Sequence, residues 1–280
     1  MEFSVFAAVL FAALLHASWN LVVKLALDRF LSLFLIQTIM GLLGLAMVAA
    51  FPWPNPACLP YAVASGFIHL GYNLFLARSY RTGDLSQVYP VARGAAPLLT
   101  FAGAWMFAGE AATPMIGLGV GLLVAGIWLV TLADRQNLNL DSTVLFYALG
   151  TSLFIALYTI IDGLGGRVSG SPSSYAGFVF IFDASFLFIL GIMMRGPKIV
   201  KDVAPYWKTG VTGAVMSAGA YWIAIWAMSR APIAAVAALR EVSILIVMGM
   251  SAYVLKEHVS SKRLIGAGLV VAGAIALRLA

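Results

Sequence analysis

The 280-residue chain is 62% hydrophobic and 10% charged, with a mean hydropathy of +0.98. Soluble domains are roughly 45–50% apolar and about 25% charged, so this composition excludes a soluble globular protein. The net charge of +6 does not imply a nucleic-acid partner, because the bases stand singly between apolar runs and form no cluster.

About 20 apolar residues cross a bilayer, and with short connections the length accommodates ten such segments and no separate soluble domain. The runs lack the alternation of lipid-facing barrel strands, so helices are expected. The first span is expected over 3–27. It opens with Glu2 and not with a basic segment, and its apolar run outlasts the core of a signal peptide, so it reads as a membrane helix. His16, Trp19 and Asn20 stand there at i, i+3 and i+4, on one face; Lys24, near the end, reads as snorkelling to the interface. The second span covers 30–51, and "FPWPNPACLP" (51–60) breaks the chain. Cys58, in that break, is the only cysteine, which excludes an internal disulfide and a thiolate metal cage.

The third span, 59–80, repeats the polar spacing with His69, Tyr72 and Asn73. The fourth, 85–108, carries Tyr89 and Arg93 four residues apart between Pro90 and Pro97. Each proline removes a backbone donor and obstructs the carbonyl four residues back, at Ser86 and Arg93. A helix so disturbed is tolerated at membrane depth where a cavity supplies partners. The fifth span covers 114–133. Its "IGLGVGLLVAG" lacks the strand and the Lys-Ser/Thr of a phosphate loop, so its glycines read as helix-packing positions.

After "DRQNLNLDS" (134–142), the sixth span is expected over 144–163, with Tyr158 and Asp162 on one face and "GLGGRVSGSPSS" (163–174) as the following loop. The seventh, 173–194, holds Asp183 in "FVFIFDASFLF". "RGPKIVKDVAP" (195–205) leads to the eighth, 204–229, with Ser217, Tyr221 and Trp222. The ninth, 232–256, contains the adjacent Arg240 and Glu241, and the tenth covers 262–279.

A shift of 147 residues superposes the chain on itself. Arg93 falls on Arg240, Glu110 on Glu257, Gly119 on Gly266, Gly121 on Gly268, and "VAG" at 124–126 on "VAG" at 271–273. A two-residue gap upstream brings Tyr72 onto Tyr221 and Arg81 onto Arg230. The expected architecture is therefore an all-α membrane protein of ten helices in two five-helix repeats, 3–133 and 144–279. An odd number of spans per repeat makes the two face opposite ways, an arrangement that places a transporter's substrate site near the midplane.

Ionisable groups inside spans are costly in lipid, so His16, His69, Arg93, Asp183, Arg240 and Glu241 are expected to face the protein interior or a wet cavity. Two readings stand for each. The histidines either line a cavity or make helix-to-helix hydrogen bonds. Arg93 and Arg240 either receive an anionic group such as a carboxylate or belong to ion pairs with Asp183 or Glu241. Asp183 and Glu241 are the proton-coupling candidates; Asp183 could instead neutralise Arg240. Trp53, Trp105, Trp128 and Trp207 read as interface-belt or packing residues.

The repeat together with "WNLVVKLAL" (19–27), "YPVARGAAPLL" (89–99), "FAGE" (107–110), "YTIIDGLG" (158–165) and "LKEHVSSKRLIGAGLVVAGAIAL" (255–277) resembles the EamA-type branch of the drug/metabolite transporter superfamily. The resemblance covers nearly the whole chain. It implies a basket of ten helices around a central cavity, working by alternating access, and supplies no universal catalytic or ion-binding motif.

The functional expectation is an inner-membrane exporter of amino acids or similar amphiphilic metabolites, aromatic ones favoured. Trp19, Tyr72, Tyr89, Tyr158, Tyr221 and Trp222 offer ring faces, which also attract a substrate ammonium. Arg93 and Arg240 offer carboxylate partners, and Asn20, His69 and Asn73 complete the polar lining. A carrier of nucleotide sugars or phosphate esters is the alternative within the class; a non-transporting subunit of a membrane complex is the alternative outside it. No enzyme activity is expected, because His16, His69 and His258 show no metal-ligand spacing and no nucleophile–base pair is evident. No cofactor or metal is expected. The partners are a small-molecule substrate and the bilayer, and the chain reads as a monomer. Lys24, Arg29, Arg78, Arg81, Arg135, Arg195, Lys198, Lys201, Lys208, Lys256, Lys262 and Arg263 lie in odd-numbered loops, whereas even loops and the C-terminus carry only Arg167, Arg230 and Arg278. The positive-inside rule then puts both termini outside the cytoplasm.

Overall fold

Hydrocarbon offers no water to backbone N–H and C=O groups, so a chain this apolar closes its hydrogen bonds within each segment. The computed structural model describes residues 1–24, 29–82, 85–133, 141–254 and 259–280. Among them are α1 (Phe3–Lys24), α2 (Arg29–Ala50), α3 (Leu59–Thr82), α4 (Leu85–Phe107), α5 (Pro114–Leu132) and α6 (Ser142–Val168). The second half continues with α7 (Pro172–Arg195), α8 (Lys198–Val203), α9 (Trp207–Met228), α10 (Ile233–Arg240), α11 (Ser243–Val254) and α12 (Ser261–Leu279). No strand occurs among the described residues.

Six stretches among the described residues are long and apolar enough to cross a membrane: Phe30–Ala50, Pro114–Leu132, Ser142–Val168, Pro172–Arg195, Lys198–Met228 and Ile233–Met250. Large apolar side chains such as Phe67, Phe107 and Met193 stay exposed, as a lipid solvent requires. Local chemistry sets several helix ends. Thr113 caps α5, its hydroxyl accepting from the Ile116 N–H, with Pro114 at the first helical position. Ser260 caps α12 through the Arg263 N–H. Gly196, at φ 72°, stops α7 in a conformation that side chains disfavour.

Three sequence expectations are corrected. The sixth span does not stop at residue 163; α6 runs on to Val168 through the glycines read as a loop. Those glycines serve packing: a Cβ at Gly165 would strike the ring of Tyr175. The ninth span is not continuous. It divides into α10 and α11 at Glu241 and Val242, where Glu241, Val242, Ile244 and Leu245 donate to carbonyls three residues back. Such tightening inside a helix often marks a hinge. The eighth span is preceded by α8 and a 3-10 turn over Ala204–Tyr206, inside the segment read as a connection.

The chain forms two compact units. One comprises Met1–Ala13, Gly71–Ile160 and Arg230–Ala280; the other comprises Leu14–Leu70 and Ile161–Ser229. In the first, α5 and α12 run antiparallel at close range. A Cβ at Gly126 would lie 2.6 Å from the Gly266 carbonyl oxygen, and one at Gly273 would lie 2.7 Å from that of Gly119. Small residues at these crossings let two backbones meet. α4 packs on α5, and α10 packs on α4. In the second unit, α2 and α7 also run antiparallel, with Gly44 facing Gly177 and Gly41 facing Ala184. α9 packs on both.

Candidate functional site

The first unit gathers charges where α4 meets the break between α10 and α11. Arg93 Nε lies 3.1 Å from Glu241 Oε2, and both side chains are largely buried, at 13% and 8% exposure. The contact is ionic and not an aligned hydrogen bond. Ala96, Pro97 and Thr100 of α4, Tyr158 and Thr159 of α6, and Arg240 complete a recess around the pair. Arg93 is thus ion-paired with Glu241.

The neighbouring backbone explains how α4 carries this charge. The Ser152 hydroxyl on α6 donates to the Ala92 carbonyl at 2.9 Å, supplying a side-chain partner beside Arg93. Gly94, the next residue, lies under the Trp128 indole of α5, where any Cβ would collide with the ring nitrogen. Trp128 is thus half-exposed and packed at once. At its far end α10 is held by Glu110, whose Oε1 accepts the Ile233 N–H at 2.7 Å. A carboxylate at a helix N-terminus is favoured both by free N–H groups and by the helix dipole. This anchors the short helix that ends in Arg240 and Glu241.

Two more expected residues belong to this unit. Tyr72 meets Tyr158 edge to face, ring centres 5.8 Å apart. Asn73 is buried, and its Nδ2 has no hydrogen-bond partner among the described residues. A buried amide left so is costly unless something else accepts from it. The side chains of Asn20 and Tyr89 lie outside the described residues, as does Glu257.

The second unit holds a different polar cluster. Asp162 is fully buried and accepts hydrogen bonds from the Tyr175 hydroxyl at 3.0 Å and from the Tyr221 hydroxyl. His69 meets Tyr221 edge to face at 5.6 Å, and its Nδ1 lies 3.2 Å from the Ser65 hydroxyl. Tyr221, expected as a cavity liner, is 9% exposed with its hydroxyl engaged by this carboxylate. Asp183 is also buried, and its Oδ2 accepts from Gln37 Nε2 at 2.7 Å, while its Oδ1 has no hydrogen-bond partner among the described residues. Trp222 donates through Nε1 to Ser173, and Trp19 donates to His16 Nδ1.

Sequence reading missed Gln37, Tyr175 and the depth of Asp162. Asp162 stands one residue before the glycines taken for a loop, which put it at a span end. The four-residue spacing of Tyr221 from Ser217 drew attention to its ring face, whereas its hydroxyl decides its place. No group of three or more His, Cys, Asp or Glu among the described residues could hold a metal ion.

A solved crystal structure of a protein superposes on the chain with a TM-score of 0.79 at 20% sequence identity, covering 100% of this chain and 98% of that one. That likeness establishes a shared fold. No curated protein matches the sequence. The EamA-like transporter family matches residues 142–279, which include α6 to α12 and hence Asp162, Asp183, Arg240 and Glu241. That segment is similar to the EamA-like transporters of the drug/metabolite transporter superfamily, and the six long apolar stretches among the described residues fit a multi-pass membrane protein.

Proposed function

We propose that the protein is a secondary transporter that exports amino acids, aromatic ones favoured, across a bacterial inner membrane by alternating access. The observation that carries this reading is the Arg93–Glu241 pair, set beside Tyr158 and Arg240 where α10 breaks from α11. Discontinuous helices are a common way for transporters to build substrate sites at membrane depth. Two guanidinium groups suit one carboxylate, and the Tyr72–Tyr158 ring pair suits an aromatic side chain. Asn73 Nδ2 offers a further donor.

The ten-helix inverted repeat is part of the same reading. Gly119 and Gly126 correspond to Gly266 and Gly273 under the 147-residue shift. Gly119 meets Gly273 and Gly126 meets Gly266, so each glycine faces the counterpart of the other. Equivalent helices crossing this way are what a two-fold relation between repeats predicts. Asp183 serves as the proton-coupling group, buried on an amide partner with one oxygen open to a proton.

The test is counterflow of labelled phenylalanine into proteoliposomes containing only this protein. Accumulation above protein-free vesicles is expected. Accumulation of a nucleotide sugar in place of phenylalanine would overturn the amino-acid reading, and no movement of either would overturn transport.

A further inference from the structure

Tyrosine hydroxyls donate to Asp162, an amide donates to Asp183, and backbone N–H groups donate to Glu110. Glu241 faces the permanent cation of Arg93 across 3.1 Å. It also stands where the regular helical ladder gives way to bonds three residues back. A side chain at such a joint can move with the hinge without breaking a continuous helix.

The pair has the same two charged ends as an amino acid, a carboxylate and a cation. Opening it leaves both charges poorly solvated, which is strongly unfavourable unless each gains a new partner. A zwitterion supplies both. A bare carboxylate serves Arg93 but leaves Glu241 facing a like charge, and a bare ammonium does the reverse. Arg240 lines the same recess whether the pair is closed or open, so the change on opening falls on Arg93 and Glu241.

Resting on the amino-acid reading, we infer that Glu241 recognises the substrate ammonium. The amino acid opens the Arg93–Glu241 pair and bridges it, its carboxylate on Arg93 and its ammonium on Glu241. Insertion separates α4 from the α10–α11 joint, so the event that recognises the substrate also loads the hinge. Glu241 thereby sets specificity for α-amino acids over their desamino analogues.

The test is equilibrium binding to the purified full-length protein of phenylalanine, 3-phenylpropionate and phenylethylamine. Wild type should bind phenylalanine about tenfold or more tighter than either analogue, the scale of one unmatched buried charge. Glu241→Gln should shrink the ratio over 3-phenylpropionate to within about threefold by weakening phenylalanine and strengthening the acid. Glu241→Asp should restore the preference. Equal wild-type affinity for phenylalanine and 3-phenylpropionate, or an unchanged ratio in Glu241→Gln, would overturn the proposal. The wild-type ratio decides it even where a variant fails to fold. The predicted binding pattern without any transport would overturn the transporter reading and leave the ammonium role standing. Failure of wild type to bind all three compounds would overturn both.

Discussion

Glu241 reaches Arg93 from the residue at which its own span breaks. The Nε–Oε2 distance is 3.1 Å, and Glu241 closes α10 while donating its N–H to Ala238 three residues back. A buried ion pair anchored in regular helix on both sides would fix two helices together. Here one partner sits between α10 and α11, where backbone N–H groups bond three residues back.

The α5–α12 crossing should be intolerant of side chains. Gly126→Leu or Gly266→Leu places carbon where the facing carbonyl stands and should lower stability by about 1–3 kcal/mol, the usual cost of overpacking. Gly121→Ala, with nothing within 4 Å of its Cβ position, should be nearly neutral. Thermal melts of the detergent-solubilised variants check both, and equal melting of Gly126→Leu and Gly121→Ala would contradict the close approach.

The Asp162 cluster should behave as a structural unit. Tyr175→Phe and Tyr221→Phe each remove a hydrogen bond to a buried carboxylate, worth about 1.5–3 kcal/mol. Asp162→Ala strands both hydroxyls and should cost more than either change alone. The same melting assay ranks the three, and a double Phe variant should show non-additive loss.

Cys58 should resist thiol reagents in the folded protein. It is fully buried outside the spans, and burial pushes its thiol above the usual range, its backbone hydrogen bond only partly opposing this. The reactive thiolate is accordingly scarce at neutral pH and increases as pH rises. Maleimide labelling at pH 7, followed by intact-mass measurement, should find the native protein unmodified and the denatured protein singly labelled.

Asp183→Asn should separate coupling from translocation. The amide keeps the shape and a bond with Gln37 but cannot carry a proton. Phenylalanine exchange should persist while the response to an imposed pH gradient disappears. Wild-type transport that ignores such a gradient would make the protein a facilitator and remove the coupling role.

Much of the helical layout is legible because hydrophobic length and break chemistry agree; "FPWPNPACLP" reads in the sequence as the break it makes between α2 and α3. Arg93 is legible for the same reason, since a guanidinium in lipid needs an explanation wherever it falls. The Gly163–Gly166 segment misleads because glycine carries two meanings, chain freedom and helix contact, and only Tyr175, packed on Gly165, selects the second. The break at Glu241 leaves no local sign, as "AALREVSIL" contains neither proline nor glycine. It becomes visible only in the tertiary structure, where Glu110 meets one end of α10 and Arg93 meets Glu241 at the other.

The most direct test of the account is phenylalanine counterflow by Arg93→Ala beside wild type, with phenylalanine amide as competitor. The account predicts that the variant, destabilised because Glu241 loses its cation, loses at least about tenfold of its phenylalanine uptake per folded protein, as expected when a carboxylate loses its charged partner. It also predicts that wild type discriminates strongly against the amide and that Arg93→Ala does not. Equal discrimination in the two proteins, or undiminished uptake in the variant, would contradict the role of Arg93 as the carboxylate anchor.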